Sequence, residues 1–172
     1  MNLPFRCAAI AAMGLWLSAC APVSTTPPLP AGPTPQERLA AVEAAGGVDD
    51  TEVDVQPLGD PQVGDLREQA ARARAAGDAA AAAKALDHAL QLLPDDPAVL
   101  QERAEIALLQ ADYATAEQLA RRAYAGGSRV GPLCRRHWAT IEQAALARGQ
   151  AENAASARVQ IGTCTVPGIK RM

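Results

Sequence analysis

The chain is poor in aromatic side chains. They make up 3% of its 172 residues: two tryptophans, two tyrosines and one phenylalanine. So few rings leave little on which bases would stack, and the formal net charge of −3 supplies no strong basic surface, so nucleic acid is excluded as a partner. Signs of catalysis are missing too. No phosphate-binding glycine loop and no zinc-protease helix is present. Ser128 lies in Gly126-Gly127-Ser128-Arg129-Val130, which lacks the closing glycine of a nucleophile elbow. The two histidines, His88 and His137, are far apart in the chain, and His88 falls on the outer face of its helix. These absences imply no enzyme, no cofactor and no small-molecule substrate. There is also no apolar run of about 20 residues, the length a helix needs to cross a bilayer.

What the chain does have begins with a targeting segment. Arg6 supplies a positive start, and Cys7–Leu17 is a short apolar run. The run ends in Leu17-Ser18-Ala19-Cys20, which resembles the lipobox of bacterial lipoproteins at all four positions. The resemblance implies a signal peptide over residues 1–19, cleavage before Cys20, and lipidation of the Cys20 thiol. Several acyl chains on one cysteine hold a protein firmly, at about 0.8 kcal/mol per buried methylene. Ala21, by the same resemblance, implies an outer-membrane lipoprotein facing the periplasm.

Residues 20–64 read as a tether. Pro22, Pro27, Pro28, Pro30, Pro33 and Pro35 forbid a helix up to that point and favour an extended spacer. Thr34-Pro35-Gln36-Glu37 then starts one short helix, about residues 35–45, with Leu39 and Val42 on a thin apolar face. Val48–Gly64 is acidic, contains Pro57 and Pro61, and reads as loop. The charge is uneven. Ala21–Asp65 carries eight acids against Arg38 alone, whereas Leu66–Met172 carries 14 basic residues and 11 acids.

From Leu66 to Ser128 one pattern occurs twice. Ala70 and Ala104, Ala82 and Ala116, and Ala89 and Ala123 are each 34 positions apart (104−70, 116−82, 123−89). Gly77-Asp78 and Ala111-Asp112 mark the same mid-repeat turn. The punctuation predicts helices over Leu66–Ala76, Ala79–Leu93, Pro97–Gln110 and Tyr113–Ala125, the first opened by Asp65 with Glu68. Leu66, Leu86, Leu90 and Leu93 form the apolar seam, and the paired alanines permit close approach. Small residues at a period of 34 resemble the tetratricopeptide repeat. The resemblance implies an all-α domain over residues 65–162, a tetratricopeptide-like right-handed superhelix of antiparallel helix pairs, with a tail at 163–172.

The third unit departs. Pro132 opens a helix to about Arg148, and Ala151–Ile161 returns, with Ala154 in the place of Ala82 and Ala116. Trp138 stands in register with Ala70 and Ala104, where a bulky indole does not fit, so this unit is expected to cap the stack with Trp138 filling the gap at its open end. Cys134 and Cys164 sit at neighbouring ends of the hairpin. Outside the cytoplasm they are expected to form a disulfide worth about 3–4 kcal/mol. The competing use is metal, with His137 added, but a fourth ligand is missing, so no metal site is assigned.

In tetratricopeptide proteins the first helix of each pair lines a concave groove that holds a protein or peptide. Carried over by register, the groove residues here are Arg67, Ala71 and Arg74, then Gln101, Glu105 and Leu108, then Arg135. Arginines there suit an acidic segment or a terminal carboxylate. The function implied is a membrane-anchored scaffold in the cell envelope that serves assembly of a pilus, secretion or outer-membrane complex. The alternative is a regulator or activator of a peptidoglycan-active enzyme, or itself an envelope enzyme accessory.

Overall fold

The computed structural model describes residues 32–47 and 59–165. The signal segment, Cys20, the proline spacer and most of the acidic loop lie outside them. The described residues fall in a single unit, Gly32–Met172. Among them are seven α-helices: α1 (Pro35–Gly46), α2 (Pro61–Ala75), α3 (Ala79–Leu92), α4 (Pro97–Leu109), α5 (Tyr113–Gly126), α6 (Gly131–Ala147) and α7 (Ala151–Thr163). The domain is all-α. Three hairpins, α2–α3, α4–α5 and α6–α7, stack in order, each joined to the next through α3 against α4 and α5 against α6.

Short polar side chains at the helix starts explain the boundaries. Asp78, Asp96 and Asp112 each accept a hydrogen bond from the backbone N–H three residues on, at 2.8, 2.9 and 3.1 Å. Asp78 and Asp112 are one repeat apart (112−78), so the turn before the second helix is built alike in both hairpins. The turn itself needs a left-handed residue. Gly77 supplies it at φ 79°, and Ala111 adopts φ 58° at the equivalent position despite its Cβ.

The alanines do what their register implies. Ala82, Ala89, Ala104, Ala116 and Ala123 are all fully buried, and Ala70 and Ala154 nearly so. A methyl at these sites lets two helices approach to close packing, and larger aliphatics such as Leu86, Val99, Leu100 and Ile141 fill the space beside them.

Four expectations are corrected. The first repeat opens at Asp60-Pro61, with Asp60 accepting from Gln62 N–H at 2.8 Å, rather than at Asp65. Residues 61–64 are therefore helix, not loop, and Val63 joins the core of the first hairpin. Leu93 ends α3 exposed to solvent instead of completing the seam. Trp138 does not sit at the open end of the stack. Its ring meets Tyr124 of α5 edge-on at 4.8 Å, at the junction of the second and third hairpins.

The short helix α1 is docked, not a free part of the tether. It packs against α6 and α4, the first helices of the third and second hairpins. Thr34 and Glu37 close a full capping box at its start.

Candidate functional site: the face formed by α2, α4 and α6

Of the residues assigned to the groove, Arg67, Ala71, Arg74 and Glu105 line an open pocket, Leu108 and Arg135 lie against α1, and Gln101 is buried. Over α4 and α6 the face is covered. Val42 of α1 is fully buried in a cluster with Leu108, Ala139 and Ala144. Arg135 lies across the end of α1, its Nε donating to the Ala45 carbonyl at 3.0 Å and its Nη2 to the Gly46 carbonyl at 2.7 Å. Those carbonyls end a helix and lack partners within it, so a guanidinium there satisfies them and meets the negative end of the helix dipole. Nearer the start of α1, Arg38 donates to the Gln143 carbonyl and side chain, each at 3.3 Å, with its guanidinium 5.7 Å from the centre of the Tyr113 ring. Leu108 and Arg135 thus bind the chain's own helix.

Over α2 and α4 the face is open. A pocket of about 260 Å³ is lined by Arg67, Ala71 and Arg74 from α2, Glu102 and Glu105 from α4, and Arg136 from α6. Each arginine has an acid. Arg67 holds Glu102 with three hydrogen bonds, the shortest 2.6 Å. Arg74 pairs with Glu43 of α1 at 2.9 Å and reaches Glu105 at 3.9 Å. Arg136 grips Glu105 through Nε at 2.9 Å and Nη2 at 2.6 Å. Three cations thus face three carboxylates, and an acidic ligand entering here has to exchange pairs rather than meet bare charge.

Glu105 connects the pocket to a buried polar network. Its side chain is only 2% exposed, and burial pushes its carboxyl above the ordinary range while Arg136, Gln101 and Arg74 oppose that rise. Gln101, also buried, donates to Glu105 Oε1 at 2.9 Å and to Thr140 Oγ1 at 2.8 Å. Thr140 in turn donates to the Arg136 carbonyl at 2.9 Å. His137 Nδ1 lies 2.7 Å from Gln101 Oε1. Gln101 and Glu105, assigned to the groove surface from register, are thus the internal joint between α4 and α6.

Reasoning from sequence left Glu43, Glu102 and Arg136 out of the groove and weighed His137 only as a metal ligand. One signal existed for Arg136. Arg136 follows Glu105 by 31 positions (136−105), which is one repeat less nearly one helical turn, and Arg148 follows its partner Glu117 by the same interval (148−117).

Cys134 and Cys164 are joined in a disulfide with their Cα atoms 5.7 Å apart, so neither thiol is left for a metal. Among the described residues no three His, Cys, Asp or Glu side chains gather as a metal-holding group. His88 is exposed. Among the described residues no helix is long and apolar enough to cross a membrane. The arrangement suits recognition: a face of paired charges, half occupied by a helix, on a rigid helical stack.

No family model matches the chain, and no curated protein matches it. A solved structure does, the globular C-terminal domain of P. aeruginosa LpoP, at 33% sequence identity with a TM-score of 0.57. The match covers 60% of this chain and 98% of that domain. Through its helical domain the chain belongs to the same family as the C-terminal domain of LpoP.

Proposed function

We propose that the chain is a lipid-anchored protein of the outer membrane, facing the periplasm, which docks on an enzyme of peptidoglycan synthesis and regulates it. It performs no catalytic step of its own in this reading. The observation that carries the proposal is the likeness to the LpoP domain, 33% identical over nearly all of that domain. The likeness favours a cell-wall regulator over a scaffold for pilus, secretion or outer-membrane assembly. The Leu17-Ser18-Ala19-Cys20 motif supports the membrane anchor, and the proline-rich stretch after it supports a spacer between lipid and helices. The helical hairpins act as tetratricopeptide-like repeats, two regular and one closing the stack. The protein partner meets the face of α2, α4 and α6, where paired arginines and glutamates offer exchangeable contacts.

The test is reconstitution. The purified lipidated chain is titrated against each bifunctional peptidoglycan synthase of the same cell, with glycan polymerisation and peptide cross-linking measured separately. A saturable change in one rate at equimolar chain is expected. Unchanged rates for every synthase, with no co-purification from detergent extracts, would overturn the proposal.

A further inference from the structure

Helix α1 shows what the covered half of the face recognises. It presents two aliphatics three residues apart, Leu39 and Val42, both buried. The next residue, Glu43, reaches Arg74 at 2.9 Å. Its last carbonyls, on Ala45 and Gly46, receive Arg135. A side chain at Gly46 would bring a Cβ to 3.0 Å from Cγ of Arg136, so anything larger than glycine has to push that arginine side chain aside. The pattern is aliphatic, two residues, aliphatic, acid, two residues, glycine.

The hold on α1 is thin. A helix of 12 residues is marginal alone, so its helicity depends on docking. Leu39 and Val42 are its only large buried aliphatics, and its ion pair to Arg74 is close to half exposed on both sides. Covalent connection adds to these few contacts, because it gives a linked segment a millimolar effective concentration without strong intrinsic affinity.

We infer that the α4–α6 face is a helix-binding groove, that α1 is its resident competitor, and that the partner inserts a short helix with the same aliphatic–aliphatic–acid–glycine pattern. This rests on the docking function proposed above and adds its regulation: the partner's helix must displace α1, so α1 sets the threshold for engagement.

The probe is a synthetic peptide of residues 34–47, titrated into the isotopically labelled full chain and followed by the backbone amide resonances of α4 and α6. Val42→Asp places a carboxylate in the packed side of α1 and leaves the groove untouched. Because wild-type α1 competes, the peptide is expected to bind the Val42→Asp chain at least about tenfold more tightly than wild type. Equal affinity for the two chains, or no saturable shift with either, would overturn the inference. Should Val42→Asp not fold, Val42→Ala replaces it, with a gain of about threefold expected and no gain counting against the groove. No envelope enzyme enters this titration. Its failure leaves the regulator reading standing, and failure of the reconstitution leaves the groove standing.

Discussion

Gln101 Oε1 and His137 Nδ1 face each other at 2.7 Å, and this contact fixes the protonation of the imidazole. The Gln101 amide nitrogen is spent on Glu105 and Thr140, so its oxygen must accept and His137 Nδ1 must carry the proton. Nε2 is then a bare lone pair, buried without a partner. Burial, with Arg136 nearby, lowers the His137 pKa from 6.5 to about 4.

A group that charges more easily when unfolded destabilises the fold in acid. Between pH 6.5 and about 4 the unfolded imidazole binds a proton that the folded one refuses. The contribution is full above 6.5 and falls away as pH drops through this window, by about 3 kcal/mol in all. Glu105 acts in the opposite sense, since its carboxyl is raised, but it is common to both chains in the following comparison. Urea unfolding of wild type and His137→Asn at several pH values is expected to show a difference in stability that shrinks on acidification. A difference constant from pH 7 to 4 would refute the neutral, buried imidazole.

Removing Glu105 strands Arg136 and Gln101. Glu105→Ala is expected to cost about 3 kcal/mol, the scale for breaking a buried pair. Glu102→Ala, whose carboxylate and arginine are each about one-third exposed, is expected to cost no more than about 1 kcal/mol. Denaturant midpoints of the two variants decide whether the pocket has one structural pair and one exchangeable pair.

Ala111 pays for its left-handed backbone with a Cβ clash that Gly77 avoids. Ala111→Gly is expected to stabilise the chain by about 0.5–1 kcal/mol, the steric relief exceeding the added chain entropy. Gly77→Ala is expected to destabilise by a similar amount. Thermal unfolding of the two variants tests the pair.

The disulfide closes 30 residues around the third hairpin. Cys134→Ser with Cys164→Ser is expected to lower stability by about 3–4 kcal/mol in the chain-entropy model. Hydrogen exchange then ought to rise first in α6 and α7, since those helices lose their common closure. Uniform acceleration across all three hairpins would show that the stack unfolds as one unit.

The hairpins were legible because two constraints repeat at one interval. Ala82 and Ala116 lie where only a methyl fits, and Asp78 and Asp112 cap the helices that carry them. The start of α2 was harder to see, because Asp60-Pro61 opens it inside an acid-rich run and Gly64 interrupts its first turn. The docking of α1 was legible only as one of two alternatives, beside a marginal helix in the tether, and its site was not. A helix whose apolar side is little more than Leu39 and Val42 carries no mark of the surface that accepts it. Polar residues in α4 misled for a related reason. Pattern reading sends Gln101 and Glu105 to solvent, yet α4 is flanked by α1, α3, α5 and α6, so few of its positions reach water. Arg67, Ala71 and Arg74, grouped by register, line one pocket. Register alone did not reveal that the chain itself occupies the other half of the face.

The Arg135 clasp also determines how the domain bears mechanical load. Any pull along the chain from before Thr34 arrives first at α1, whose end is gripped by α6 through the Ala45 and Gly46 carbonyls. The third hairpin, locked by its covalent Cys134–Cys164 bond, therefore takes most of the strain, and α2 shares it only through the Glu43–Arg74 ion pair until α1 lets go. The backbone of the first hairpin would be loaded only after that release, which makes α1 a fuse in the line between the leading segment and the rest of the stack.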